Sequence, residues 1–266
     1  MEFKVHLPSP QLRPYIQCYL EGDGRKDTIV TENTLFPNGY SGFFFNFGNT
    51  GKITLRSNVD VPAVSVFGQI DRHFTIQHSP GFYSLGVLVK PAVLSKLLRI
   101  NMGEFTNNAI DGALIRKDLA MLRIELEECQ SVVGKIILIE RLISRIISST
   151  PQKISMVDYA LQLLQQPASY PIQKIARRLQ VSERHLENQF RMKVGLTPKT
   201  YSLIVRFKRI EQQLRKLSTV RWQDLSFADE YFDQNHFIKD FKRFTGLTPT
   251  SYLLNDFRMG RTYLGA

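Results

Sequence analysis

The chain has very little cysteine. Cys18 and Cys129 are the two present among 266 residues, too few for a disulfide framework and spaced like no zinc pattern. They read as buried thiols of a reducing compartment. Long apolar runs are missing as well. The most aliphatic stretch, near 136–147, is interrupted by Glu140, Arg141 and Arg145, which excludes a bilayer span. The opening MEFKVHLPSP has no basic start followed by an apolar run, so no signal peptide and a cytoplasmic location are expected. There is no Gly-rich phosphate loop, no Walker lysine and no Ser-His-Asp pattern. Of the five histidines, His73 and His78 are the close pair, and their spacing puts them on opposite faces of a strand. No metal triad assembles from them, and neither a metal nor another cofactor is expected.

Acidic residues are scarce in the second part of the chain. Residues 151–266 carry 19 Lys+Arg against 10 Asp+Glu, whereas residues 1–150 carry 16 against 14. Nearly all of the net charge of +11 therefore sits C-terminally. Such asymmetry points to an anionic partner for that part.

The C-terminal part also repeats itself. GLTPKTY at 195–201 returns as GLTPTSY at 246–252. At the same offset Leu186 matches Phe237, Phe190 matches Phe241, Arg191 matches Lys242 and Ser182 matches Asp233. Agreement in residue class over more than twenty positions marks a duplicated supersecondary unit.

In the first copy Pro171 suits a helix opening, and Ile172, Ile175, Ala176 and Leu179 fall on one helical face. Gln180 and Val181 make a turn, Ser182 caps a second helix over 183–193, and Gly195 stops it. Thr197-Pro198 then opens a third helix that runs to about 217. In the second copy a helix starts near Trp222, Asp233 caps the next, and Gly246 ends it before Thr248-Pro249. Two helices joined by a tight turn, the second one capped, form a helix-turn-helix, which places its second helix in the major groove of DNA. The units span 171–195 and 222–246.

With Leu186 and Phe190 inward, Arg184, Asn188 and Arg191 face outward, with Glu187 beside them. With Phe237 and Phe241 inward, the outward stripe is Asn235, Lys239 and Lys242, flanked by Gln234 and Ile238. Arg and Lys suit guanine, Asn and Gln suit adenine, Glu suits cytosine and Ile a thymine methyl. The expected base contacts are Arg184, Glu187, Asn188, Gln234, Asn235, Ile238 and Lys239. The expected phosphate contacts are Arg177, Arg178, His185, Arg191, Thr197, Arg206, Lys208, His236, Lys242, Arg243 and Thr248. The helix from Pro198 extends about 30 Å over about 20 residues, close to one turn of duplex.

The spans IQKIARRLQVSERHLENQFRMKVGLTPKTYSLIVRF and DLSFADEYFDQNHFIKDFKRFTGLTPTSY resemble the paired helix-turn-helix domain of AraC/XylS-type transcriptional regulators, over about residues 152–258. DQNHFIKDFKRFTGLTP is the most specific part. Glu230 stands where that family carries a glycine, and Ser226 where it carries an alanine. The resemblance implies a regulator of a promoter or operator in double-stranded DNA, an activator that contacts RNA polymerase. It also implies an N-terminal domain that binds a small-molecule effector, forms a homodimer, or both. The rival class is a DNA-modifying or small-molecule enzyme carrying an AraC-like DNA-binding tail.

Residues 1–110 have a different texture. GYSGFFFNFG, KITLR, AVSVFGQI, RHFTIQH and FYSLGVLVKP are short β-rich runs bounded by Gly, Pro and Asn. They predict a barrel-like or cupin-like domain, and LFPNG and GVLVKPAVLSKLL resemble the regulatory domain of the same family. The FFFNF run supplies either core or the wall of an apolar pocket. Leu119, Leu122 and Leu126, then Val133, Ile136, Ile137, Ile143 and Ile147, predict a helical hairpin over 114–149. The fold class is thus α+β in two domains, 1–150 and 151–266, the second all-α.

Overall fold

The computed structural model describes residues 2–49, 51–54, 58–149, 154–166, 170–214 and 234–254. The helix expected from Trp222, the Asp233 cap of the next one, and the Ser226 and Glu230 positions lie outside the described residues, as does the expected boundary between 150 and 151.

The N-terminal part is three layers. Strands β1 (Glu2–His6), β2 (Ile16–Asp23), β4 (Ser41–Phe47), β7 (Val64–Phe67), β9 (Tyr83–Val89) and β10 (Ala109–Asp111) form one sheet in the order β1-β2-β9-β4-β7-β10. A second sheet runs β3-β8-β5-β6, from β3 (Thr31–Leu35), β8 (Phe74–His78), β5 (Gly51–Thr54) and β6 (Asn58–Asp60). All strand pairs are antiparallel. Among the described residues the sheets do not close on each other. The barrel-like expectation is therefore corrected to an open sandwich of two sheets.

The larger sheet is the middle layer. Its outer face is covered by α1 (Val93–Leu98), α3 (Lys117–Glu128) and α4 (Val132–Ser148); the short α2 (Gly112–Ile115) lies between α1 and α3 in the chain. The expected hairpin is α3 and α4. Leu119, Leu122, Leu126, Ile139 and Ile143 pack on Phe43, Phe45 and Val87. The opposite face meets the second sheet through Cys18, Leu20, Leu88, Leu35 and Phe74. Both faces of β9 are therefore dry, and every residue of YSLGVLV is buried. A strand covered on both sides reads as a continuous apolar run rather than an alternation. The FFFNF run resolves by strand alternation. Phe43, Phe45 and Phe47 enter the helix-side core, while Phe44 and Asn46 face the space between the sheets.

The C-terminal part is helical: α5 (Met156–Leu164), α6 (Ile172–Arg178), α7 (Glu183–Val194), α8 (Pro198–Leu214), α9 (Gln234–Thr245) and α10 (Pro249–Leu254). One apolar core joins all six. Ser155 and Asp158 close a capping box at the start of α5. Phe207 packs on Phe241 and Phe244 with ring centroids 5.3 and 5.2 Å apart, which ties α8 to α9. Among the described residues no helix is long and apolar enough to cross a membrane.

The two parts share packing. Phe36 and Ala92 of the N-terminal part belong to the helical core, and Phe36 meets Tyr252 edge-on at 5.4 Å. Lys96 on α1 reaches Asp158 on α5 at 2.9 Å. Burial pushes the Asp158 carboxyl up, but Lys96 and Ser155 outweigh it and hold it below its usual range.

Candidate nucleic-acid interface

The first helix-turn-helix is α6, a turn and α7. Pro171 stands one place before α6, at the cap, where its carbonyl accepts from Lys174. The turn is tight because Gln180 takes a left-handed backbone (φ 56°) and Val181 N–H reaches back to the Ala176 carbonyl. The Ser182 hydroxyl accepts from the backbone N–H of His185 at 3.1 Å, as its N-cap role requires. Leu186, Phe190 and Val194 are buried. Arg184, His185, Asn188 and Arg191 are exposed, and Glu187 is half-buried. On α9, Phe237, Phe241 and Phe244 are buried, while Asn235, Lys239, Lys242 and Arg243 are exposed. Ile238 is half-buried and packs at the edge of the core. Gln234 opens α9 and His236 follows it, but their side chains lie outside the described set.

Each helix that follows a unit is capped alike. Thr197 Oγ1 accepts from Thr200 N–H at 3.1 Å, and Thr248 Oγ1 accepts from Ser251 N–H at 3.2 Å. Both hydroxyls are engaged at home, so what these helix starts offer a phosphate is backbone N–H. The tyrosines of the repeat are equivalent too. Tyr201 accepts from Gln165 at 2.8 Å, and Tyr252 donates to the buried Glu211 at 2.6 Å.

The cations divide by surroundings. Arg177 is exposed on the last turn of α6. Arg178 donates to Tyr170 at 3.2 Å and lies 5.8 Å from the Tyr159 ring centre. Arg206 is half-buried. Lys208 turns to the N-terminal part, donating to the Tyr40 hydroxyl at 3.0 Å. Arg243 approaches Asp71 at 3.8 Å. Asp71 also accepts from Arg72 and Asn107. Burial raises its carboxyl, yet these donors with Arg243 keep it below the ordinary range.

The duplicated glycines do two things at once. Gly195 (φ 95°) and Gly246 (φ 75°) take the left-handed backbone that ends α7 and α9. Both also touch the N-terminal part. Thr106 donates to the Gly195 carbonyl, and a Cβ on Gly195 would lie 2.9 Å from the Met102 carbonyl oxygen. A Cβ on Gly246 would lie 2.6 Å from the ring of His73. Sequence reasoning missed Tyr40, Asp71, His73, Met102 and Thr106 as partners of the reading units. No local pattern marks them, because each contact spans a large separation along the chain.

Residues 175–255 match the family model of a helix-turn-helix domain, and residues 4–111 match that of a domain of unknown function (DUF6597). Residues 175–255 form an AraC-type helix-turn-helix domain. A structure of ToxT from Vibrio cholerae O395 is similar over 96% of this chain and 99% of its own, with 9% identity and a TM-score of 0.50. That likeness shows a common two-domain fold. Also similar are an apo ToxT variant from Vibrio cholerae strain SCE256 and the AraC-like transcriptional activator CuxR. The first has 12% identity, covers 89% of this chain and 97% of its own, and has a TM-score of 0.48. The second has 14% identity, covers 79% and 86%, and has a TM-score of 0.27. Among curated proteins, none matches this chain in sequence. With its AraC-type domain the chain is a DNA-binding transcription regulator. Among the described residues of this regulator, no group of three or more His, Cys, Asp or Glu could hold a metal ion.

Proposed function

We propose that this protein is a cytoplasmic transcription activator that reads one promoter site with both of its units, α7 and α9 entering successive major-groove segments. In this reading Arg184, Glu187 and Asn188 contact bases from α7, and Gln234, Asn235, Ile238 and Lys239 do so from α9. Arg177, Arg178, His185, Arg191, Arg206, His236, Lys242 and Arg243 contact phosphates, with the backbone at Thr197 and Thr248, while Lys208, expected among them, is instead held against Tyr40 of the N-terminal part. The domains divide near 150, and the N-terminal one senses a small molecule.

The observation that carries the reading is the equivalence of α7 and α9. Each has a dry aromatic or aliphatic inner face, a polar outer face and a left-handed glycine stop. Helix α8 joins them, and its 17 described residues span about 25 Å. A separation short of a full turn is made up by bending the duplex, at a cost of a few kcal/mol. The sensory role is supported by the apolar space between the two sheets. The similar ToxT structure holds a naphthalenyl butenoic acid. The exposed Ile124, Val133 and Ile137 of the hairpin support a homodimer, and the family supports contact with RNA polymerase.

Selection of duplexes from a random pool by the full chain, followed by footprinting, tests this. Two protected major-groove segments about 10 base pairs apart are expected for one chain. Protection of a single segment would overturn the tandem reading.

A further inference from the structure

The space between the sheets is lined by Leu35, Phe44, Phe67, Phe74, Ile76 and Phe82 among other mainly apolar residues, and by one imidazole, that of His78. It holds about 640 Å³ not filled by atoms, part of it open to solvent. That suits one alkyl chain or one ring.

Strand alternation aims His78 inward, since Phe74, Ile76 and His78 share a face of β8 while Gln77 is exposed. The residue is 4% exposed, and its ring lies 4.6 Å from that of Phe82. Neither ring nitrogen has a hydrogen-bond partner among the described residues. A buried polar group left so costs about 1–3 kcal/mol, which native proteins accept where the group has work to do. Of the other polar walls, Ser84 is buried, Asn108 accepts from the Ala109 N–H at the exposed rim, and Asn46 and Ser65 are satisfied locally. Asn46 donates to the Pro62 carbonyl and to Ser65, and Ser65 donates to the same carbonyl.

A neutral imidazole offers one N–H and one lone pair. A hydroxyl can serve either, giving its proton to the bare nitrogen or accepting from the N–H. A carboxylate can only accept, and it would bring a full charge into a space whose lining residues include no Lys or Arg.

We propose that the space between the two sheets binds an uncharged, mainly apolar small molecule carrying one hydroxyl, which hydrogen-bonds to His78. The proposal rests on the sensory role given above to the N-terminal part, and names the chemistry that role takes.

Calorimetry on the full chain tests it with 1-hexanol and hexanoate as probes. Saturable one-to-one binding of 1-hexanol is expected, about tenfold tighter than that of hexanoate, the direction set by the cost of burying an unpaired charge. His78→Phe should weaken hexanol binding about tenfold, while His78→Gln, which keeps a donor and an acceptor, should retain most of it. Histidine ring-nitrogen spectra of the unaltered chain need no variant: hexanol must shift the His78 signals over the same concentration range. Absence of saturable hexanol binding, tighter binding of hexanoate, full affinity in His78→Phe, or unmoved His78 signals would each overturn the site. DNA affinity measured with and without hexanol separates the two claims. Binding without any change in DNA affinity keeps the site and removes the sensory role. Loss of binding with specific DNA recognition intact removes the site alone.

Discussion

The ring of His73 lies against Gly246 so closely that a methyl group on that glycine would come within 2.6 Å of it. The second reading unit is therefore seated on the N-terminal part at the residue that ends its recognition helix. Gly246→Ala combines left-handed strain, about 1–2 kcal/mol, with this collision. Urea denaturation of the full chain should show a loss of that size or more. Adding His73→Ala should recover the collision component and leave the strain. If the double variant is no more stable than the single one, the contact with His73 does not matter.

Base and phosphate contacts separate by their response to sequence and salt. Arg184→Ala and Lys239→Ala should each cost about 1–3 kcal/mol on the selected site and relax the preference at one or two base pairs. Arg177→Ala should weaken binding to every duplex alike and lower the salt slope by about one. Anisotropy titrations on specific and random duplexes at several salt concentrations check this. Equal losses on both duplexes for Arg184→Ala and Lys239→Ala would remove the base-reading roles.

The helix-turn-helix is legible in the sequence because its signals are local. Ser182 and Gly195 announce the ends of α7 within a turn of where they act. Leu186 and Phe190 point inward by helical period alone. The sandwich is less legible. β10 pairs with β7, some 45 residues earlier, and nothing in either short run names the other. The FFFNF run leaves core and cavity open because β4 serves both, and only the layers on its two sides decide which phenylalanine goes where. The docking of Lys208 on Tyr40, across 168 positions, has no sequence signature at all.

Acid should weaken the fold through His78. Burial, with help from the positive charge of the chain's N-terminus, holds its pKa near 4, from an ordinary 6.5, and Asp27 acts the other way. Between those values the unfolded chain binds a proton that the folded chain refuses, so stability rises with pH across the window. The contribution is complete above pH 6.5 and is lost as pH falls towards about 4, amounting to about 3 kcal/mol. Burial also lowers His73 and adds in the same direction. Denaturation midpoints between pH 7 and 4.5 should fall less steeply in His78→Phe. Parallel curves for the two proteins would show that His78 is not the group responsible.

The two thiols should differ in reactivity. Cys18 is fully buried between the sheets, and burial pushes its pKa up to about 12 against a small opposing effect of Lys208. Cys129 is partly accessible at the end of α3. A thiol reagent at pH 8 should modify one cysteine quickly in the native chain and both after denaturation. Fast modification of Cys18 in the native state would mean that the sheets part readily.

Leu35 and Phe36 are consecutive residues with opposite allegiances. The side chain of Leu35 is part of the wall between the sheets, and that of Phe36 is inserted beside Tyr252 in the helical core. A single peptide unit thus spans the distance from the sandwich interior to the packing behind the second recognition helix. A guest that pushed the first side chain aside would pull on the backbone that carries the second, so these two neighbours are the shortest covalent route from the sandwich interior to the far end of the molecule.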